Sequence, residues 1–77
     1  MDEQEQIAYM QTRITRMAAS RWGMAINAAA NLFAYYGVFE YIERHYGLFH
    51  LQGDDAVFSD VEAFIRSKGG DPLAELE

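Results

Sequence analysis

Three glycines set the shape this chain can take between residues 37 and 53, in the run GVFEYIERHYGLFHLQG. Large apolar and aromatic side chains crowd this run beside two histidines, and only Glu40, Glu43 and Arg44 are charged. A glycine that ends a helix in the left-handed conformation is a strong stop signal. Gly37 and Gly47 therefore predict a short helix over 38–46, followed by a tight aromatic loop over 48–53. The result is a bent, shaped element that carries no evident set of catalytic groups.

The rest of the chain limits how that element is supported. With 77 residues and no cysteine, a single domain is expected, spanning 1–77. Neither disulfides nor thiolate zinc sites can brace it. A hydrophobic content of 51% is too high for a disordered segment. Stability must come from helix packing, from a partner or from self-association.

Ile7, Met10, Ile14 and Met17 recur at helical spacing and predict a first helix over 4–19. Acidic residues sit at its start and Arg13 and Arg16 toward its end, as the helix dipole favours. Ser20 to Gly23 reads as a break. A second helix over 23–36 would use Ala25, Ala28, Ala29, Leu32, Phe33 and Tyr36 as its apolar face, with Gly37 as its stop. After the elbow, Gly53-Asp54-Asp55 signals a turn, and residues 56–58 are expected as a very short extended segment. Ser59-Asp60-Val61-Glu62 matches a capping box, which starts a last helix with Val61, Phe64 and Ile65 inside and Lys68-Gly69-Gly70 as its stop. Residues 71–77 are expected as an acidic tail around Leu73 and Leu76, either flexible or docked. The fold class is all-α or nearly so: a compact bundle of four short helices.

The formal net charge of −6 opposes nucleic-acid binding, which depends on neutralising phosphate with Lys and Arg. A helix-turn-helix reading of residues 23–46 would place Glu40 and Glu43 in the major groove. From Trp22 to Phe39 no residue is charged, yet Gly23, Asn27, Asn31 and Gly37 interrupt this segment and argue against a membrane span. The acidic N-terminus does not look like a secretory signal, and a cytoplasmic location is expected.

Chemistry has little to stand on. His45 and His50 with Asp54 and Asp55 lack the fixed ligand set of a metal site. No serine lies in a nucleophile motif, and Ser59 is accounted for by its cap. Glu40 with Glu43 belongs to an exposed helix face. No catalytic, metal or cofactor-binding residue is assigned, no small-molecule substrate is expected, and the chain is not expected to be an enzyme. The surplus of rings at Tyr35, Tyr36, Phe39, Tyr41, Tyr46, Phe49 and Phe58 points elsewhere, because adjacent aromatics on a helix cannot all face inward. Tyr41, Tyr46, Phe49, His50 and Gln52 are the expected partner-binding residues. They would meet either another protein, with the acidic surface speeding encounter with a basic patch, or a second copy in a homo-oligomeric structural protein.

The runs LFAYYGVFEYIERHYGLFHLQG and VFSDVEAFIRSKG resemble the small bacterial family catalogued as domain of unknown function 3791. The matching positions are Leu32, Phe33, Tyr36, Gly37, Val38, Tyr41, Ile42, Tyr46, His50, Gln52, Gly53, Asp60 and Val61, within residues 24–70. Phe49 and Leu51 depart from the family's leucine and threonine, and the second change removes a hydroxyl from the loop. The resemblance implies a mostly helical cytoplasmic protein without assigned activity. It also implies a regulatory or antitoxin-like role beside a co-encoded, ADP-ribosyltransferase-like protein.

Overall fold

A computed structural model of the chain describes residues 1–72 and contains five helices: α1 (Glu3–Trp22), α2 (Ile26–Tyr36), α3 (Val38–Arg44), α4 (Tyr46–Phe49) and α5 (Asp54–Ser67). No strand occurs among the described residues. The fold is all-α. The acidic tail around Leu73 and Leu76 lies outside the described residues, whereas Pro72 before it is buried.

α1 is the spine, and α2, α3 and α5 all pack on it. Its start is fixed by Asp2, whose Oδ1 accepts the Glu5 amide at 2.8 Å, with Glu3 and Glu5 at the positive end of the helix dipole. Ile7, Met10 and Ile14 are buried as their spacing predicts, and Met17 is half-buried. The break expected at Ser20 does not occur. α1 runs on to Trp22 because carrying the helix past Ala19 adds Trp22 to the buried stripe that already holds Ala18 and Ala19. Gly23, with φ of 67°, then ends it in the left-handed region, so Gly23 closes the first helix rather than opening the second.

α2 begins at Ile26 with no side-chain cap and buries only Ala29 and Phe33, with Leu32 and Tyr36 half-buried. Ala25 and Ala28, expected on its packed face, are exposed. The expected stop at Gly37 holds: its φ is 76° and the next helix starts at the following residue. The stop expected at Gly47 does not. α3 ends at Arg44, the chain bends at His45 (φ −103°), and Gly47 lies inside α4. Hydrogen bonds resume at once, from Phe49 N to His45 O and from His50 N to Tyr46 O, both 2.9 Å. Re-entering a helical turn satisfies these amides and drives Phe49 into the core, which an open loop would not do.

The extended segment expected at 56–58 is instead the first turns of α5. Starting at Asp54 places Val57, Phe58, Val61 and Ile65 on one buried face, whereas a strand would turn alternate residues outward. Ser59 is therefore an exposed mid-helix residue, and the capping box does not form. Glu62 has another partner: its Oε2 accepts the Trp22 indole N–H at 3.0 Å. The true start is held by acidic first-turn residues, with Arg13 bonded to Asp54 and Arg21 to Asp55. The stop at Lys68-Gly69-Gly70 holds, with Gly69 at φ 88°. A Cβ at Gly70 would lie 2.5 Å from Tyr36 Cζ, so only glycine lets the chain cross that ring.

Two substitutions separate the expected cap from the observed bond. Ser59→Ala should change stability by less than about 0.5 kcal/mol, as at an ordinary surface site. Glu62→Leu strands a buried indole donor and should cost about 1–3 kcal/mol, while Glu62→Gln keeps an acceptor and most of the stability. Urea unfolding at neutral pH checks all three.

Candidate interaction cleft

The proposed partner-binding residues do not form one surface. Phe49 is 2% exposed and belongs to the core, because the helical turn at 46–49 points it inward against Tyr41 and His45, with ring centres 5.6 and 5.8 Å away. It is removed from the contact set. Tyr46 is half-buried and donates its hydroxyl to Gln6 Oε1 at 3.0 Å, tying the elbow to α1. His50 is exposed and stacks on the Tyr46 ring at 5.4 Å. Gln52 is half-buried, and its Oε1 is a buried atom without a hydrogen-bond partner. Neither histidine belongs to a cluster of three or more His, Asp or Glu able to hold a metal among the described residues.

Tyr41 faces a different way. It lines a cleft of about 580 Å³ with Tyr35, Tyr36, Arg44, Phe64 and Lys68 at its sides. α3 presents Tyr41 and Arg44 three residues apart on one face, α5 supplies Phe64 and Lys68, and the end of α2 supplies the tyrosine pair. The Tyr41 and Phe64 rings stack at 4.1 Å with 16° between planes. Lys68 Nζ lies 5.3 Å from the Phe64 ring centre, within cation–π range. Tyr35 stands edge-on to Tyr36 at 4.9 Å and is 80% exposed. Of the surplus rings, Tyr35 is the one that solvent reaches most freely; Phe49 and Phe58 are buried and the others half-buried.

Charge is unevenly placed around this cleft. Among the described residues Arg13, Arg21 and Arg66 are held in ion pairs, while Arg16, Arg44 and Lys68 are not. Two of those three border the cleft. Both also sit at helix C-terminal ends, where a cation offsets the dipole, so their position serves the helices as well as any ligand. Glu40 is the carboxylate on the cleft wall. The Tyr41 hydroxyl is pushed above its ordinary pKa of 10.0, first by burial and then by the negative charge of Asp60. It stays a neutral donor across the physiological range.

Of the expected partner-binding residues only Tyr41 lines this cleft; sequence reasoning placed Tyr35 and Tyr36 among the surplus rings and did not single out Arg44 or Lys68. The spacing of Tyr41 and Arg44 on one short helix was an available signal. The approach of Lys68 from another helix was not.

A family model for proteins of unknown function, DUF3791, matches residues 9–68. The chain belongs to this family. The match takes in every cleft residue and reaches back through most of α1, beyond the 24–70 stretch that carries the resemblance in sequence. No curated protein and no solved structure matches the DUF3791 chain. No helix among its described residues is long and apolar enough to cross a membrane.

The raised Tyr41 pKa gives a pH signature with a definite sign. The fold favours the neutral phenol, so this contribution to stability is complete below pH 10.0 and is lost as pH climbs through the higher folded value. Thermal melts from pH 8 to 11 should show a smaller alkaline loss for Tyr41→Phe than for the parent, with near-equal stability at pH 7. Phe49→Ala, by contrast, should cost about 3–5 kcal/mol at any pH, as for a core aromatic, whereas His50→Ala should leave urea unfolding almost unchanged.

Proposed function

We propose that this DUF3791 chain is a non-enzymatic protein-interaction module whose partner docks in the cleft between α2, α3 and α5. The observation that carries this reading is the meeting of stacked and exposed aromatic rings with two cations that form no ion pair among the described residues, in a molecule of net charge −6. Rings that are already ordered lose little freedom on contact, and tyrosine and arginine are favoured anchors of protein interfaces. The local charge suits a partner segment with an apolar side chain for the tyrosines and carboxylates for Arg44 and Lys68. The partner chemistry thus differs from the basic patch that overall charge suggests.

The mechanism is steric occupation of a partner segment, with no bond made or broken. A regulatory or antitoxin-like role beside a co-encoded protein is the setting in which such a module would act. A cytoplasmic site of action fits a chain without cysteine. The carboxylates of the turn support a structural reading over a catalytic one, since half-buried Asp54 and exposed Asp55 are occupied by Arg13 and Arg21.

The test uses two short peptides, each with a central phenylalanine, one flanked by glutamates and the other by lysines. Amide chemical shifts of the labelled protein should move around Tyr41, Arg44 and Lys68 with the acidic peptide and stay fixed with the basic one. Arg44→Glu and Lys68→Glu should each weaken binding about tenfold, near 1.4 kcal/mol. Arg16→Glu, on another face, should not. Equal response to both peptides, or no response to either at millimolar concentration, would refute the cleft as a site for acidic segments.

A further inference from the structure

α2 has an outer side that reaches the cleft only at Ala34 and Tyr35. From Trp22 to Phe39 there is no charged residue and no histidine, and the structure does not hide this stretch. Asn27, Ala28, Asn31, Ala34 and Tyr35 are all exposed. The exposed residues of α1 and α5 include Glu3, Glu5, Arg13, Arg16, Asp55 and Arg66. Depletion of charge with an aromatic retained is the composition of the centre of a protein interface, and does not describe a solvated helix face.

We propose that this face of α2 seats a second copy of the same chain, antiparallel about a two-fold axis near Asn31. Charge selects the occupant. A basic or acidic partner finds nothing to pair with here, and copies each carrying −6 repel wherever their charged faces meet. An uncharged face is where two identical acidic molecules can approach. Its chemistry is also self-complementary, as a two-fold contact requires. A side-chain amide both donates and accepts, so Asn31 of one copy can bond Asn31 of the other across the axis. The helical period then sets the neighbours. Tyr35 of each copy lies over Ala28 of the other, and Asn27 lies beside Ala34, so a large ring meets a small residue on both sides of the axis.

An eleven-residue helix is about 16 Å long, so this face falls short of the roughly 800 Å² per partner of standard interfaces. The dimer is therefore expected to exchange with monomer and to need high concentration. This inference does not rest on the proposed cleft, and the two fail separately.

Sedimentation equilibrium from micromolar to millimolar protein tests it. The parent chain should show a monomer–dimer equilibrium. Asn31→Lys places two like charges on the axis and should raise the dimer dissociation constant about a hundredfold or more, as like-charge contacts cost several kcal/mol. Ala63→Lys, exposed on α5, should leave it unchanged. Because the chain has no cysteine, Asn31→Cys provides a second reading: mild oxidation should give a disulfide-linked dimer, and Ala63→Cys should not. A parent chain that stays monomeric to millimolar concentration leaves this face to a different protein and overturns the proposal. A dimer that Asn31→Lys does not weaken overturns it too, by placing the contact elsewhere. In Asn31→Lys the acidic peptide should still bind the cleft, which keeps the two outcomes distinct.

Discussion

The described fold turns on Trp22. Its indole is 4% exposed, at the last residue of α1, with the Phe33 ring of α2 at 6.0 Å and the Phe58 ring of α5 at 5.6 Å. Its N–H is taken by Glu62. One side chain thus brings three helices into register with three different elements of contact: an edge-on ring, a tilted ring and a hydrogen bond. A tryptophan of this burial removes about 200 Å² from water, worth about 5 kcal/mol as an upper figure by area. For a domain with no disulfide this is a large part of what holds the helices together. It also explains why α1 ignores the break expected at Ser20, since stopping there would leave the indole outside.

With α1 and α5 clamped at that end, α3 and α4 close the other. Gln11 donates to the Phe39 carbonyl at 2.9 Å and Tyr46 reaches Gln6, so both polar links of the elbow run to α1. Phe49 fills the space between them. Phe49 thus makes the elbow part of the core, while Leu48, His50 and Leu51 on it stay exposed. On α2 and in the cleft beside it, Tyr35 and Tyr36 cannot both turn inward, and Tyr35 stays exposed.

This arrangement gives a small acidic molecule two unlike surfaces on adjacent sides. One combines rings with cations that make no ion pair among the described residues, and the other has no charge. They share Ala34 and Tyr35, which line the cleft and lie on the outer side of α2. A partner held in the cleft and a second copy on α2 would therefore compete for, or jointly order, the same ring.

Much of the fold was legible in residue order because it is local. The Ile7, Met10 and Ile14 stripe, the left-handed stop at Gly37 and the Gly69 stop follow from helical period and glycine conformation alone. The errors came where two local signals competed. Ser59 to Glu62 spells a capping box, but burying Val57 and Phe58 with Val61 outweighs one cap. Gly47 looks like a stop, but the Phe49 side chain needs a helical turn to reach the core. Tyr41 was singled out in sequence from its aromatic neighbours, and it lines the cleft. Phe49 was misplaced for the same reason, since sequence shows that rings are in surplus and not which of them stays outside. By itself the sequence determined helix content, the absence of covalent braces and an uncharged central helix. Only tertiary packing decided which face of α2 stayed open and which cations met the tyrosines. Burial and charge proximity depend on residues far apart in the chain, and no local spacing encodes their distance.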